Sequence, residues 1–143
     1  MKAKKSWREK LADSKDLPKT MVIPAPREVD ALMKQVPKGR LVTIAELRAA
    51  LAAKHKVQIA CPLTTGIFSW IAAHAAAEAE GEGVKGRTPF WRTLKSGGEI
   101  NPKYPGGAEG VAERLRAEGH VVVKKGRRWL VADFEKSLFA GLR

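Results

Sequence analysis

Cysteine is almost absent from this sequence, since Cys61 is the single one. One thiol cannot form a disulfide within the chain, so a disulfide-stabilised secreted fold is excluded and a reducing cytoplasm is the expected location. Apolar residues never form a run of about 18, the length that a membrane-spanning helix needs. The lysine-rich start has no apolar block, so we expect no signal peptide and no membrane partner.

Patterns typical of metal sites and catalytic centres are missing as well. The three histidines are scattered, and none is spaced with the cysteine in the way that zinc ligands are. The sequence contains no phosphate-binding glycine loop, no acidic metal cluster and no serine triad. We therefore expect neither a metal nor a cofactor.

Acidic residues are scarce relative to basic ones: 15 Asp and Glu stand against 27 Lys and Arg, a net charge of +12 over 143 residues. This positive potential favours polyanionic partners, because each neutralised phosphate releases condensed counterions. The length suits one domain. We expect a monomer that binds double-stranded DNA in the nucleoid, and the alternative is a soluble protein with a basic tail.

Two regions are predicted along the chain. Residues 1–22 form a basic arm, expected to be flexible, which either follows DNA phosphates or is a solvated tail without a role. Residues 23–143 form the folded domain. Its first helix lies within residues 23–39, where four apolar residues are spaced for one buried face, namely Val29, Leu32, Met33 and Val36.

A helix-turn-helix is predicted at about residues 43–80. Thr43, also a candidate DNA contact, forms a capping box with Glu46 and opens a helix that ends near Lys54. Thr64 or Thr65 is expected to cap the following helix. That helix is predicted to offer three hydroxyl groups to a DNA groove, those of Thr64, Thr65 and Ser69.

A basic β-hairpin is predicted at about residues 120–131, with its turn around Lys125 and Gly126. A helix with Val111, Ala112 and Leu115 facing inward precedes the hairpin, and a short helix capped by Asp133 follows it. The predicted fold is mainly α with this small β-hairpin, a winged helix-turn-helix type of DNA-binding domain. Four cations of the hairpin are expected to contact backbone phosphates, Lys124, Lys125, Arg127 and Arg128, unless the hairpin is an ordinary edge with a solvated turn.

Three sequence blocks follow one another between residues 25 and 120. The first, PKGRLVTIAELRAAL, is a proline-lysine-glycine-basic turn before the threonine-capped helix. The second is Pro89-Phe90-Trp91-Arg92-Thr93 before a Ser/Gly turn, and the third runs from Gly106-Gly107 through a helix to Glu118-Gly119-His120. In this order they resemble the DNA-binding domain of the alkylguanine-DNA alkyltransferases.

The resemblance implies that catalysis has been lost. The related enzymes transfer an alkyl group to a cysteine thiolate, which a histidine poised by a glutamate activates through water. Phe90 stands at the cysteine position and Trp91 at the histidine position, and only the glutamate, Glu118, is kept. Neither aromatic ring can accept an alkyl group by displacement or take up the thiol proton. We therefore expect a protein that is not an enzyme.

A chain with this frame and no active-site cysteine resembles the alkyltransferase-like proteins, which flip alkylated guanine without repairing it and recruit nucleotide excision repair. The resemblance implies a lesion pocket for which Phe90, Trp91 and Glu118 are candidates, with one aromatic ring facing the pocket and the other the core. Arg92 keeps the arginine of the family and is either a DNA contact or a structural hydrogen-bond donor. Ile44 and Thr65 replace a tyrosine and an arginine that assist base flipping, whereas plain duplex binding needs neither.

Two alternative functions are open at this point. One is a methylated-DNA–protein cysteine methyltransferase with a non-standard nucleophile, for which Cys61 is the candidate. The plainer interpretation of Cys61 is a small apolar residue that fills the junction between two helices. The other alternative is a winged-helix DNA-binding regulator that is unrelated to repair.

Overall fold

Four α-helices and three two-stranded β-pairings form the fold in a computed structural model that describes residues 20–143. In chain order the elements are β1 (Met21–Val22), α1 (Pro26–Lys34), β2 (Val42–Thr43), α2 (Ile44–Lys54), β3 (Ile59–Ala60), α3 (Pro62–Gly81), β4 (Thr93–Leu94), α4 (Gly107–Ala117), β5 (Val122–Lys125) and β6 (Arg128–Val131). Strand β1 pairs with β3 and β2 with β4, both in parallel, and β5 pairs with β6 antiparallel. Short 3₁₀ helices span Phe90–Arg92 and Phe134–Ser137.

Helix α1 forms where the apolar periodicity predicts it. Pro26 is its first residue, where the missing N–H and the fixed φ of proline suit a helix start. Val29, Leu32 and Met33 form its buried face, and the helix ends at Lys34, so that Val36 is buried in the core but lies beyond the helix. The prediction of this helix is confirmed, with a buried face of three of the four predicted residues.

Helix α2 begins at the predicted capping box. The Thr43 hydroxyl oxygen accepts a hydrogen bond from the Ala45 N–H at 3.2 Å, and the Glu46 carboxylate accepts one from the Thr43 N–H at 2.8 Å. The Thr43 hydroxyl also donates to Glu46 at 3.0 Å. Because Thr43 is buried and its hydroxyl is used within the cap, the expectation that it contacts DNA is wrong.

Helix α3 begins earlier than predicted. Pro62 is its first residue and Cys61 is its N-cap, so the prediction of a cap at Thr64 or Thr65 is wrong. The Thr65 hydroxyl instead donates to the Cys61 carbonyl oxygen at 2.7 Å. The Ser69 hydroxyl donates to the Gly66 carbonyl oxygen at 2.7 Å and accepts a hydrogen bond from the Tyr104 hydroxyl at 3.0 Å. These small polar residues therefore face the core.

The basic hairpin has the predicted position. Val122 pairs with Val131 and Lys125 with Arg128, which leaves Gly126 and Arg127 as the two turn residues. Strand β6 also joins the segment after β4, because the Ile100 N–H donates to the Trp129 carbonyl oxygen at 2.8 Å and the Val131 N–H donates to the Gly98 carbonyl oxygen at 3.0 Å. The hairpin is thereby attached to residues 98–100.

The C-terminal segment contacts two parts of the domain that are distant in sequence, around Gly98 and around Leu41. The Phe134 ring lies against Gly98, whose φ is 84° and where a Cβ would collide with that ring. Beyond it, the Leu41 N–H donates to the Ser137 carbonyl oxygen at 2.9 Å, and the Phe139 N–H donates to the Leu41 carbonyl oxygen at 2.8 Å. The predicted Asp133 cap is wrong, because its backbone is left-handed (φ 53°) and its side chain makes no capping bond.

The predicted boundary between arm and domain also needs correction. Met21 and Val22, assigned to the arm, pair with Ile59 and Ala60 and so belong to the folded part. Residues 1–19 of the predicted arm lie outside the described residues. Within residues 20–143, no helix is both long enough and apolar enough to cross a bilayer.

The Glu28 carboxylate links the start of α1 to the end of α2. It accepts a hydrogen bond from the Ala25 N–H at 3.0 Å and lies 3.0 Å from Lys54 Nζ and 2.6 Å from His55 Nε2. The backbone bond from Ala25, followed by the Lys54 contact, lowers the pKa of Glu28 from 4.5 to about 2. Since the pKa is depressed in the folded state, its stabilising effect is complete above the ordinary pKa and disappears as the pH falls toward 2.

We expect acid to remove this contribution from the wild-type protein, whereas a Glu28→Gln variant lacks it at every pH. The wild type should be more stable than the variant at neutral pH by about 1 kcal/mol, a modest value because the group is partly solvated. The difference should shrink between about pH 5 and pH 2. Thermal unfolding across this range measures it, and parallel curves for the two proteins would contradict the assignment.

Candidate nucleic-acid interface

The adjacent aromatic residues Phe90 and Trp91 have different environments. Phe90 is 1% exposed, and its ring makes T-shaped contacts with Trp91 at 5.4 Å and with Tyr104 at 6.2 Å between ring centroids. Trp91 is half-buried, and the Arg114 guanidinium lies 4.7 Å from its ring centroid. Phe90 therefore has no free surface for a base, and of the two rings it is the one that faces the core.

Glu118 is the acceptor of a buried hydrogen-bond network. Its oxygens accept from Trp91 Nε1–H at 2.9 Å and from the Arg92 guanidinium at 2.7 to 3.2 Å. The Gly39 N–H adds a further bond at 3.3 Å. Burial opposes the ionisation of Glu118, but these bonds, that of Arg92 first, outweigh it and lower its pKa. Glu118 is thus part of the scaffold, and its prediction as a pocket wall is wrong.

Arg92 is a structural residue as well. Its guanidinium also donates to the Val36 carbonyl oxygen at 2.8 Å, and its side chain is 14% exposed while that of Glu118 is 7% exposed. Since its donors are directed inward, the structure favours the structural alternative, and the prediction of a DNA contact by Arg92 is wrong. Trp91, at the histidine position of the resemblance, donates to the same glutamate.

Cys61 lies apart from this network, at the start of α3. Cys61 is half-buried, and the pKa of its thiol is lowered, mainly by the neighbouring side chain and backbone N–H of Thr64. His120 is beside Glu118, yet burial lowers its pKa more than that carboxylate raises it. No cluster of three metal-binding side chains is present among residues 20–143.

Helix α3 presents an apolar face to solvent instead of the predicted hydroxyl groups. Leu63, Ile67 and Trp70, at spacings of four and three residues along one face, are 70%, 40% and 38% exposed. Thr65 and Ser69 are fully buried and the Thr64 hydroxyl oxygen is shielded from solvent, so the predicted DNA contacts of these three residues are wrong. The exposed face is the one that a partner of this helix would meet.

A groove of about 420 Å³ runs along this face, between α3 and the segment that follows β4. We call it the α3 groove, and ten residues line it, Ile44, Pro62, Leu63, Gly66, Ile67, Trp70, Lys95, Ser96, Asn101 and Lys103. No carboxylate is among them. An apolar, aromatic floor with a lysine rim is a composition that suits a nucleic acid.

Trp70 is held in place by two neighbours at the rim of the groove. The Lys103 ammonium lies 5.5 Å from the centroid of the Trp70 ring, and the His74 ring makes a T-shaped contact with it at 5.7 Å. His74 Nε2 is 2.8 Å from the Lys103 carbonyl oxygen, so helix α3 also fixes the backbone that carries this lysine. The indole is therefore oriented, although one side of it is open.

Trp91 belongs to a different cavity. With Ala76, Glu80 and residues 85–88 it lines a space of about 320 Å³. Ala76 is 13 residues after Leu63, which is about 220° around an α-helix, so this cavity and the α3 groove lie on different sides of α3. The structure thus does not bring Trp91 together with the groove.

The basic hairpin lies next to the α3 groove, because β6 is bonded to residues 98–100 and the groove is lined by residues on both sides of that segment. The four cations predicted to contact phosphates, Lys124, Lys125, Arg127 and Arg128, are all exposed. Arg128 donates to Glu99 at 3.2 Å, and the Lys124 ammonium lies 5.3 Å from the Trp129 ring centroid. The Glu99 carboxylate, which lies 4.0 Å from the Lys95 ammonium of the groove, therefore contacts one cation of each feature.

This predominantly helical domain with three two-stranded β-pairings, one of them the basic hairpin, has a fold similar to that of an alkyltransferase-like protein. The crystal structure of S. pombe Atl1 in complex with damaged DNA containing O6-carboxymethylguanine is similar to it, with a TM-score of 0.56 over 80% of this chain and 93% of that chain. The two sequences are 16% identical, so the likeness establishes the fold alone. No protein-family model and no curated protein sequence matches the chain. The resemblance inferred from three short blocks is confirmed for the fold.

Proposed function

We propose that this protein binds double-stranded DNA without catalysing a reaction and recognises alkylated guanine. The observation that carries the proposal is the α3 groove, an aromatic floor with a lysine rim beside a basic hairpin. The surface occurs on a fold shared with Atl1, whose structure was solved with damaged DNA. The positive charge of this surface accords with the excess of basic residues in the whole chain, which favours binding to DNA phosphates.

In this proposal, helices α2 and α3 act as a helix-turn-helix, with the exposed face of α3 toward DNA. The hairpin acts as a wing whose cations contact backbone phosphates and fix the register of binding. The protein works as a monomer on the nucleoid in the cytoplasm, and the bound lesion is passed to nucleotide excision repair proteins.

The absence of catalysis in the proposal is supported by the surroundings of Phe90 and Trp91. Phe90 fills the core, and Trp91 donates its only polar hydrogen to Glu118. Neither ring offers a nucleophile or a base, and the carboxylate that remains is engaged by Arg92. Binding is then the whole of the activity.

A titration of two labelled duplexes tests lesion recognition, one with a single O6-alkylguanine and the other with guanine at the same position. We expect about tenfold tighter binding of the alkylated duplex, a difference of about 1.4 kcal/mol, because a base that pairs badly costs less to extrude. Equal affinities would discard lesion recognition and favour a winged-helix regulator.

Cys61 supports one competing function, that of an alkyltransferase with a non-standard nucleophile. Its thiol has a lowered pKa and adjoins Pro62 and Leu63 in the α3 groove. Incubation with DNA that carries a labelled methyl group on guanine distinguishes the two functions. Our proposal predicts no label on the protein, and stoichiometric labelling that is lost in Cys61→Ala would replace it by this enzyme.

A further inference from the structure

Trp70 is an aromatic residue on the outside of a helix whose other side is packed into the core. Leu63 and Ile67 precede it on the same face, and nothing else within residues 20–143 covers them. Monomeric proteins rarely leave such a group of large apolar side chains in water without a use. We therefore expect the α3 groove to take an occupant from outside residues 20–143.

The lining of the groove indicates the chemistry of that occupant. Lys103 supplies positive charge at the rim, and so does Lys95, whose ammonium lies 4.0 Å from the Glu99 carboxylate, while Ser96 and Asn101 supply hydrogen-bonding groups. The absence of a carboxylate from the lining and the volume of about 420 Å³ suit a flat, neutral ring attached to anionic groups. A nucleobase with its adjoining phosphates has this composition.

The Lys103 side chain can change its contact when a base binds. In the free protein its ammonium lies over the Trp70 ring at 5.5 Å. A base stacked on an aromatic ring is bound more strongly than an exposed ammonium over the same ring. The base can therefore displace the ammonium, which then meets a phosphate next to the base, while His74 continues to orient the indole.

We infer that Trp70 is the stacking platform for an unpaired nucleobase, with Lys95 and Lys103 on its flanking phosphates. The inference rests on the proposed DNA binding but goes beyond it. The protein recognises a base that lacks a pairing partner, and not the alkyl substituent. A duplex with any unpaired base is then a ligand, and an alkylated guanine is one example because it pairs badly.

The test compares a fully paired duplex with the same duplex carrying one unpaired adenine, without any alkylated base. We expect the wild type to bind the second DNA at least about tenfold more tightly. Trp70→Ala should lose that preference, with affinity for the unpaired base falling about 5- to 150-fold, the range of one base–aromatic stack. Affinity for the paired duplex should change by less than about twofold, and Trp70→Phe should keep most of the preference.

Ile71→Ala is the matched control, because Ile71 is the next residue of α3, is 48% exposed and lies outside the groove lining. It should bind both DNAs like the wild type. With 2-aminopurine as the unpaired base, stacking on Trp70 should also quench its fluorescence in the wild type and not in Trp70→Ala.

Four results would overturn the inference, and only the last of them is also a failure of the proposed function. Equal binding of the two duplexes by the wild type, or an equal loss for both in Trp70→Ala, removes the stacking platform and leaves DNA binding intact. A concentration-dependent dimer that Trp70→Ala abolishes assigns the groove to a second copy of this chain. Binding to neither duplex removes the proposed function as well.

Discussion

Replacing Glu118 by alanine should destabilise the protein by about 3–5 kcal/mol, the cost of leaving a buried charge without its partner. Arg92 is the charge left behind, since its guanidinium is directed inward and its side chain is only 14% exposed. The Trp91 and Gly39 N–H groups lose their acceptor in the same variant. Chemical denaturation of the two proteins measures the difference.

Glu80 offers the matched control for this experiment. It pairs with Arg114 at 2.8 Å, a geometry close to that of the Arg92–Glu118 pair, but both side chains are 38% exposed. Removal of such a pair costs about 0–1 kcal/mol, because solvent screens it. If Glu80→Ala and Glu118→Ala destabilise the protein equally, the Arg92–Glu118 pair is not a buried structural link.

Replacing the four hairpin cations by alanine should reduce the slope of log affinity for DNA against log salt by about 3 to 4, because each phosphate contact contributes about 0.9. Binding at low salt should weaken in proportion, and the loss should be similar for paired, alkylated and unpaired DNA, since phosphates carry no sequence information. The fold should be unaffected, because all four side chains are exposed. Affinities measured over a salt series test this.

A second variant distinguishes the loss of phosphate contacts by the hairpin from the loss of net positive charge. Alanine at four exposed cations outside the hairpin and the α3 groove, Arg27, Lys34, Lys38 and Lys56, removes the same charge. The hairpin assignment predicts that this variant keeps the wild-type slope. A similar reduction of the slope in both variants would mean that the hairpin cations contact DNA no more than other surface cations do.

The elements that could be predicted from the sequence are those with local causes. Helix α2 follows from Thr43 and Glu46, three residues apart, and the hairpin follows from a glycine between two β-branched and basic runs. Strands β2 and β4 pair over two residues each, too few to leave an alternating pattern. Such pairings depend on the tertiary fold.

The errors on α3 have one physical origin, which is that this helix is apolar on both sides. A polar face toward DNA was predicted from Thr64, Thr65 and Ser69, whereas their hydroxyl groups are turned inward. The helix begins at Pro62, before the predicted cap. The spacing of Leu63, Ile67 and Trp70 was visible, but such a stripe normally faces the core. Likewise, the roles of Arg92 and Glu118, 26 residues apart, depend on a contact that no local pattern predicts.

The attachment of the C-terminal segment bears on when this protein can first act during its synthesis. Phe134 supports Gly98, next to the rim of the α3 groove, and the backbone of residues 137–139 holds Leu41, just before α2. A ribosome-bound chain with all four helices already exposed would still lack both supports. We therefore expect the binding surface to become complete only after residue 139 has left the ribosomal tunnel.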